Sequence, residues 1–171
     1  MTKKPMSLFT IGYEGGTPDQ LVQTLRHSGV TRVVDVRQIP LSRKPGFSKS
    51  SLSAFLEPRG IEYVGFPRLG TPPAIRKPYK QKGDFARLKR DYLAYLRTQG
   101  PEIERLRELA AQGGCVLLCF ERDPATCHRS ILAEVLARRP GPHLRVEHVG
   151  LSAPSAQGDL LWTKGGGPPR L

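Results

Sequence analysis

Short apolar runs alternate along this chain with segments whose apolar residues recur at helical spacing. Such alternation predicts a single α/β domain, with a mostly parallel sheet flanked by helices in Rossmann-like or flavodoxin-like layering. In the second run Val33, Val34 and Val36 are typical of a strand buried on both faces. The predicted strands are Leu8–Tyr13, Val30–Arg37, Ile61–Phe66, Cys115–Phe120 and His143–Val149.

Capping and breaking signals place the predicted helices. Thr17, Pro18 and Gln20 supply an N-cap, a first-turn proline and a Thr-x-x-Gln capping box for the first helix. Thr126 is expected to cap the helix that follows the fourth strand. Residues 67–83, which are rich in proline and glycine, are predicted to form a long irregular loop. The other predicted helices cover 50–59 and 126–139 and begin at Asp84 and Pro101.

Length and composition predict one cytoplasmic domain. The 171 residues suffice for a single core, which we assign to 8–149, with a flexible N-terminus at 1–7 and a glycine- and proline-rich tail at 150–171. No secretory signal is recognisable, and no apolar run approaches the ~18 residues of a transmembrane helix. Because cytosolic thiols stay reduced, the three cysteines favour catalysis or metal binding over a disulfide.

The chain is strongly basic, with a formal net charge of +12. Such a charge favours an anionic small molecule or a nucleic acid as partner, and we expect no membrane partner. Residues 68–97 carry nine of the Lys and Arg side chains against two Asp. In the predicted loop, Arg76, Lys77, Lys80 and Lys82 are candidate nucleic-acid contacts; a solvated loop without a partner is the equal alternative.

The densest group of reactive side chains follows the fourth predicted strand, where Cys119, Glu121, Cys127, His128 and Arg129 fall within eleven residues. The amides and dipole at a helix N-terminus stabilise a thiolate or a bound anion. Cys119, at the strand end, is therefore the candidate nucleophile, Glu121 and His128 are candidate proton-transfer groups, and Arg129 is a candidate anion ligand. The alternative is that Cys119 is a small buried apolar residue.

Cys119, Cys127 and His128 could also bind a metal ion. Seven residues separate the two cysteines, whereas zinc pairs usually have two to four between them. The adjacent Cys127 and His128 side chains are expected to diverge at the start of a helix. The sequence therefore favours no metal and no cofactor.

A second group of charged side chains lies at the end of the second predicted strand. Asp35 and Arg37 flank Val36, and burying such charges is costly unless they are paired. They either pair with each other or face a ligand, and Arg37 with Arg43 could hold a phosphate or carboxylate. Because ligands of parallel sheets bind beyond the carboxyl ends of the strands, Asp35, Arg37, Tyr13 and Tyr63 are expected beside the cysteine turn.

These motifs, taken in order, resemble the domain of unknown function 488 family. The resemblance implies a compact α/β domain of the bacterial or archaeal cytosol and carries no established activity. The motifs that carry it are Thr10-Ile11-Gly12-Tyr13-Glu14-Gly15, Val34-Asp35-Val36-Arg37 with Pro40 and Ser42-Arg43, Ile61-Glu62-Tyr63 with Leu69-Gly70, and Leu118-Cys119-Phe120-Glu121 with Cys127-His128-Arg129.

A weaker resemblance is to rhodanese-type domains. In those domains a strand ending Asp-x-Arg precedes a strand ending in a catalytic cysteine, and an arginine follows at a helix start. Asp35-Val36-Arg37, Cys119 and Arg129 repeat this order. The segment from Cys119 to Arg129 is longer than the rhodanese loop, and it carries an acidic pair and a second cysteine.

Three functions remain open at the level of sequence. The leading hypothesis is an enzyme that acts on an anionic substrate, a nucleotide or nucleic acid, through the Cys, Glu, His and Arg side chains at the carboxyl edge of the sheet. One alternative is a noncatalytic nucleic-acid-binding module in which the same side chains only brace the turn. The other is a rhodanese-like sulfurtransferase.

Overall fold

A computed structural model describes residues 4–152 of the chain. Its strands are β1 (Met6–Gly12), β2 (Arg32–Asp35), β3 (Glu62–Gly65), β4 (Cys115–Cys119) and β5 (Leu144–His148). They form one parallel sheet in the order β3-β2-β4-β1-β5, which confirms the predicted α/β fold. Each predicted strand is found, and its ends differ from the prediction by at most two residues.

Helices cover both faces of the sheet. Within the described residues the α-helices are α1 (Pro18–His27), α2 (Lys49–Leu56), α3 (Pro73–Lys82), α4 (Phe85–Leu96), α5 (Gly100–Ala110) and α6 (His128–Arg138). α1 and α2 pack on one face against Val33 and Val116, and α4, α5 and α6 pack on the other against Val34 and Leu117. Because side chains alternate along a strand, adjacent valines and leucines supply two separate cores, as the apolar second strand predicts.

The first helix forms as its capping signals predict. The Thr17 hydroxyl accepts the Gln20 amide N–H at 3.2 Å, and the Gln20 side chain accepts the Thr17 N–H at 2.9 Å. Pro18 occupies the first turn, where its missing N–H costs nothing. This reciprocal cap fixes where α1 begins, directly after the carboxyl end of β1.

The fourth strand is inserted between the first two. Its register pairs Cys119 with Gly12 of β1 and Leu118 with Asp35 of β2. A side chain on Gly12 would meet the carbonyl of Glu121, with a Cβ only 1.8 Å from its oxygen, so only glycine lets β1 and the turn after β4 approach so closely. The carboxyl ends of β1, β2 and β4 thereby share one edge.

The prediction of an irregular loop over 67–83 is wrong. A short 3-10 turn at Pro67–Leu69 is followed by the ten-residue α3. Pro72 and Pro73 stand at the N-cap and first turn, where proline is tolerated, and Pro78 removes only one internal hydrogen bond. Gly83, in a left-handed conformation, ends the helix and donates its N–H to Tyr79.

The cap of the helix after β4 also differs from the prediction. Thr126 belongs to a 3-10 turn, Pro124–Thr126, and its hydroxyl donates to the Asp123 carbonyl. α6 begins two residues later, and its N-cap is Cys127, whose backbone is extended. The carboxylate of Asp123 accepts the Ala125 N–H and stabilises this turn.

The ends of the described chain lie against the domain. β1 already begins at Met6, within the segment predicted to be flexible. At the other end Ser152 exchanges hydrogen bonds with Gln20 and Thr24 of α1. The rest of the predicted tail, 153–171, lies outside the described residues. Among the helices of residues 4–152, none has the length and apolar character needed to cross a membrane.

Candidate functional site

A cavity of about 610 Å³ opens at the carboxyl edge of the sheet. Its floor is formed by residues at or just after the ends of β1, β2 and β4, together with the first residue of α6. We define the cavity floor as Tyr13, Arg37, Cys119, Glu121 and His128. The sequence places these side chains at one edge of a parallel sheet, and the structure brings all five to one cavity.

Asp35 and Arg37 form a buried ion pair beneath this floor. Both oxygens of Asp35 accept from the Arg37 guanidinium, at 2.8 and 2.6 Å, and the Tyr63 hydroxyl also donates to Asp35. Asp35 is 1% exposed and does not line the cavity, whereas Arg37 does. The pairing of the two side chains is therefore confirmed, and Arg37 also faces the cavity, where a ligand stays a prediction.

Aromatic rings hold Arg37 from the side of β1. The Arg37 Nη1 donates to the Tyr13 hydroxyl at 3.0 Å. The Tyr13 ring stacks on Phe47 with centroids 4.3 Å apart, and its edge contacts Phe120. Three of the five N–H groups of the guanidinium are thus used by Asp35 and Tyr13, so the group is rigid and retains donors for a ligand.

Cys119 contacts both proton-transfer candidates. Its Sγ lies 3.1 Å from Glu121 Oε2 and 3.6 Å from His128 Nδ1. The pKa of Cys119 is raised well above that of an ordinary thiol by its hydrogen bond to Cys127 and by burial. Burial and the negative charge of Cys127 raise the pKa of Glu121 as well. Cys119 is therefore a protonated thiol with a base beside it.

The pKa of the second thiol, that of Cys127, is shifted in the opposite direction. Burial alone would raise its pKa, but hydrogen bonds from Cys119 and His128 and the charges of His128 and Arg129 lower it well below the usual range. The pKa of His128 is raised, because its contacts with Cys127 outweigh its burial. Cys127 is 1% exposed and does not line the cavity, so this side chain lies under the floor.

Arg129 braces the turn after β4. It is completely buried and donates to the backbone carbonyls of Glu121 and Arg122 and to the Thr10 hydroxyl. The sequence assigns Arg129 to anion binding, but in the structure the side chain does not line the cavity. A rhodanese-type anion cradle needs this arginine to face the anion, and here it faces backbone oxygens.

Two cationic segments form the cavity walls, which we define as residues 38–44, after β2, and residues 76–80 of α3. Arg43 and Lys44 line the cavity from the first wall, and Arg76 and Lys80 from the second. The Tyr79 hydroxyl donates to the Thr126 carbonyl at 3.0 Å and ties α3 to the turn after β4. With Arg37, five cations line the cavity against one carboxylate, that of Glu121.

The helical conformation of α3 divides the four basic residues that the sequence groups together. Arg76 and Lys80 are four residues apart, so they share the face of α3 that lines the cavity. Lys77 and Lys82 are exposed and do not line it. An irregular loop, as the sequence predicts, would give no reason to distinguish the cavity-lining pair from the other two lysines.

Apolar side chains surround the mouth of the cavity. Ile39, Leu41 and Phe120 are 50%, 72% and 43% exposed, and they are the large hydrophobic residues that the described chain leaves exposed. All three line the cavity. Exposed apolar groups gathered at one opening mark a recognition surface, whereas scattered ones do not.

Sequence reasoning missed two cavity residues with distinct chemistry. Gln38 lines the cavity, and its Oε1 is the one buried side-chain nitrogen or oxygen in residues 4–152 without a hydrogen-bond partner. Phe120 exposes a ring between Cys119 and Glu121. A signal exists for both, because each directly follows a predicted functional residue at a strand end.

Comparison with known proteins assigns the chain to a family. No curated protein and no solved structure matches it. The family profile described as "Domain of unknown function DUF488" matches residues 17–136. This span is more than half of the chain, and it includes every cavity residue named above except Tyr13. The chain therefore belongs to the DUF488 family, as its motifs predict.

Proposed function

We propose that this protein is an enzyme that acts on a nucleotide or a nucleic acid. The observation that carries the proposal is that one cavity combines five cationic side chains with a thiol, a carboxylate and an imidazole on its floor. Cations in a concave site bind and orient an anionic substrate, and the floor groups supply proton transfer and nucleophilic attack. The basic charge of the chain, +12, favours the approach of such a substrate.

Phosphate binding is assigned to Arg37 and to the cations of the walls. Arg37 is oriented by the Asp35 ion pair, so little side-chain entropy is lost when it binds an oxyanion. Arg43, Arg76 and Lys80 have no carboxylate partner within 4 Å among the described residues, so their charges are free to meet a phosphate.

Two features favour a substrate that carries a base over a bare phosphate. Phe120, Ile39 and Leu41 offer an apolar surface at the mouth, on which a flat ring can stack. The unpartnered Oε1 of Gln38 needs a hydrogen-bond donor, because a buried polar atom without one costs free energy. Nucleobases supply both a ring and N–H donors.

Glu121 is the proposed proton acceptor. Burial raises its pKa above that of an ordinary glutamate, which makes this carboxylate a better proton acceptor. Two nucleophiles are compatible with its position: the Cys119 thiol, 3.1 Å away, or a water molecule that Glu121 deprotonates. His128 holds Nε2 against the Val36 carbonyl, so Nδ1 is the ring atom that faces the reacting groups.

The substrate assignment is tested with two double variants of α3. Arg76→Ala with Lys80→Ala removes two cations that line the cavity, and Lys77→Ala with Lys82→Ala removes two that do not. Binding of a fluorescent single-stranded oligonucleotide and of a nucleoside monophosphate is measured over a salt series. The first variant should weaken both and reduce the salt slope for the oligonucleotide by about 0.7 per lost phosphate contact.

The control variant should bind the nucleoside monophosphate as the wild type does. Equal losses in the two variants would contradict a specific cavity and leave only diffuse attraction to a basic surface. Binding that depends on the cavity, combined with unchanged substrate after prolonged incubation, would favour the noncatalytic nucleic-acid-binding module. The observation that favours that alternative is the low exposure of Cys119 and His128, at 5% and 8%, since buried side chains have little access to a substrate.

A cytoplasmic location accompanies this proposal. Cys115, Cys119 and Cys127 are all free thiols. Free thiols persist where glutathione and thioredoxin keep cysteines reduced. Nucleotides and nucleic acids are abundant in the same compartment, so substrate and redox state point to one location.

A further inference from the structure

We infer that Cys119, Cys127 and His128 form a zinc site whose open coordination position faces the cavity. The Sγ atoms of the two cysteines and the Nδ1 of His128 all lie within 4.8 Å of one another. All three residues are buried, and they lie at the end of β4 and at the start of α6. The seven residues between the cysteines, which argue against a metal in the sequence, form a turn that brings the two thiols back together.

The two sulfur-to-nitrogen separations match those of a tetrahedral site. With Zn–S of ~2.3 Å and Zn–N of ~2.0–2.1 Å, two ligand atoms stand about 3.6 Å apart for sulfur and nitrogen. The observed distances from His128 Nδ1 are 3.6 Å to Cys119 Sγ and 3.9 Å to Cys127 Sγ. A zinc ion therefore requires only small movements of these side chains.

The expectation that Cys127 and His128 diverge is wrong for a local reason. Cys127 is the N-cap of α6, with φ of −122° and ψ of 140°, whereas His128 is the first helical residue. The change from extended to helical backbone between them turns the two side chains toward the same point. Adjacent residues can thus act as ligands here, which they could not do inside a continuous helix.

His128 already has the outer partner that zinc-bound histidines typically have. Its Nε2 lies 2.9 Å from the Val36 carbonyl, which can only accept a hydrogen bond, so Nε2 carries the proton. In the neutral ring the lone pair then lies on Nδ1 and faces the thiols, the tautomer that binds a metal.

The fourth position would face the substrate. Cys119 and His128 line the cavity and Cys127 lies beneath, so the cavity side of the site is the one without a protein ligand. Three protein ligands and one water are the arrangement of catalytic zinc, which lowers the pKa of the bound water to ≈ 7. Glu121, beside Cys119, is in place to accept the proton of that water.

This inference rests on the proposed function and identifies its nucleophile as the zinc-bound water rather than the Cys119 thiol. The water gives one proton to Glu121, and the hydroxide electron pair forms the new bond to the substrate. The leaving group departs with its own bonding pair and takes the proton back from Glu121. The sum is a hydrolysis, so no oxidant or further reactant is needed.

The test is a titration of the reduced, metal-free full chain with cobalt(II), which takes the place of zinc and is visible in absorption spectra. We expect one cobalt per chain, a thiolate-to-cobalt charge-transfer band and the intense visible bands of a tetrahedral site. Zinc should displace the cobalt. Binding without a thiolate band, or the absence of binding, would overturn the inference.

Matched variants identify the ligands. Cys127→Ser and His128→Gln should weaken cobalt and zinc binding more than about 100-fold, since loss of even an outer partner costs 10- to 100-fold. Cys115→Ser is the control, because Cys115 is a buried thiol at the opposite end of β4. An equal loss in that control would contradict the assignment, and far-ultraviolet circular dichroism without metal verifies that each variant is folded.

Glu121→Gln separates an open site from a closed one. If Glu121 is a base and not a ligand, this variant should bind cobalt within a fewfold of the wild type. A loss of 100-fold would show a closed four-ligand site and remove the catalytic role of the metal. These measurements need no substrate, so their failure is distinguishable from a failure of oligonucleotide binding in the α3 variants.

Discussion

The arginines in and beneath the cavity floor form ion pairs or hydrogen bonds with other residues of the domain. The cations of the cavity walls, by contrast, have no carboxylate partner among the described residues. Arg37 pairs with Asp35, and Arg129 beneath the floor binds backbone carbonyls. Arg43 and Lys80 on the walls are exposed. The same residue type therefore serves two purposes, since a buried arginine supports the fold and an exposed one is available to a ligand. Substitutions on the floor should change stability, and substitutions on the walls should change only binding.

The largest effect is expected from Asp35→Asn. The change keeps the shape of the side chain but leaves Arg37 as an uncompensated charge that is 7% exposed. Removing one partner of a buried pair costs about 3–5 kcal/mol of unfolding free energy. Urea denaturation followed by circular dichroism measures this loss.

Asp91→Asn is the matched control for that variant. Asp91 pairs with Arg87 and Arg90 on the surface of α4, where an ion pair contributes about 0–1 kcal/mol. Equal losses in the two variants would show that the ion pair that holds Arg37 in the floor is no more coupled to the fold than a surface ion pair is. The comparison between floor and walls would then fail.

Most of the floor was predictable from the sequence because its residues, His128 apart, lie at or just after strand ends. Once the chain is read as a parallel sheet, Asp35, Arg37 and Cys119 must share one edge, whatever their exact contacts. The two thiols were harder to rank. The sequence favours Cys119 as nucleophile, but the pKa of Cys127 is the one that is lowered. The cause is its contacts with Cys119, His128 and Arg129, which only the folded turn creates.

The second cavity wall, residues 76–80 of α3, could not be predicted from the sequence. α3 has no fully buried residue, so it lacks the apolar periodicity that reveals helices such as α4. The two prolines of α3 and the proline at its N-cap are ordinary signs of a loop, and their compatibility with a helix depends on their positions. Contacts with other elements, such as Tyr79 with the Thr126 carbonyl, help to hold the helix in place.

A smaller loss of stability is expected from Gly12→Ala. The added Cβ would stand 1.8 Å from the backbone oxygen of Glu121. This clash can be relieved only if the turn after β4 shifts away from β1. Overpacking of this kind costs about 1–3 kcal/mol. Because the shift displaces Glu121, this variant should also alter the floor, which links the two properties in one substitution.

Gly100→Ala is the control for that variant. A Cβ at Gly100 meets no atom within 4 Å, and the residue lies at the start of α5. Stability should stay the same or rise by up to about 1 kcal/mol, since alanine loses less backbone entropy on folding. Thermal unfolding of both variants compares them directly, and a Gly12→Ala protein as stable as Gly100→Ala would refute the close approach of β1 and the turn.

The smallest effect, and the one that most sharpens the contrast between stability and binding, is expected from Phe120→Ala. The ring is 43% exposed and makes a T-shaped aromatic contact with Tyr13, so its removal should cost no more than about 1 kcal/mol of stability. If a base stacks on it, affinity for a nucleoside monophosphate should fall by about 1 kcal/mol, roughly fivefold, while affinity for inorganic phosphate stays unchanged. Isothermal titration with both ligands separates the two contributions. An equal fall for both would mean that Phe120 shapes the phosphate site instead of reading a base, and Phe55→Ala, which removes a ring outside the cavity, should change neither affinity.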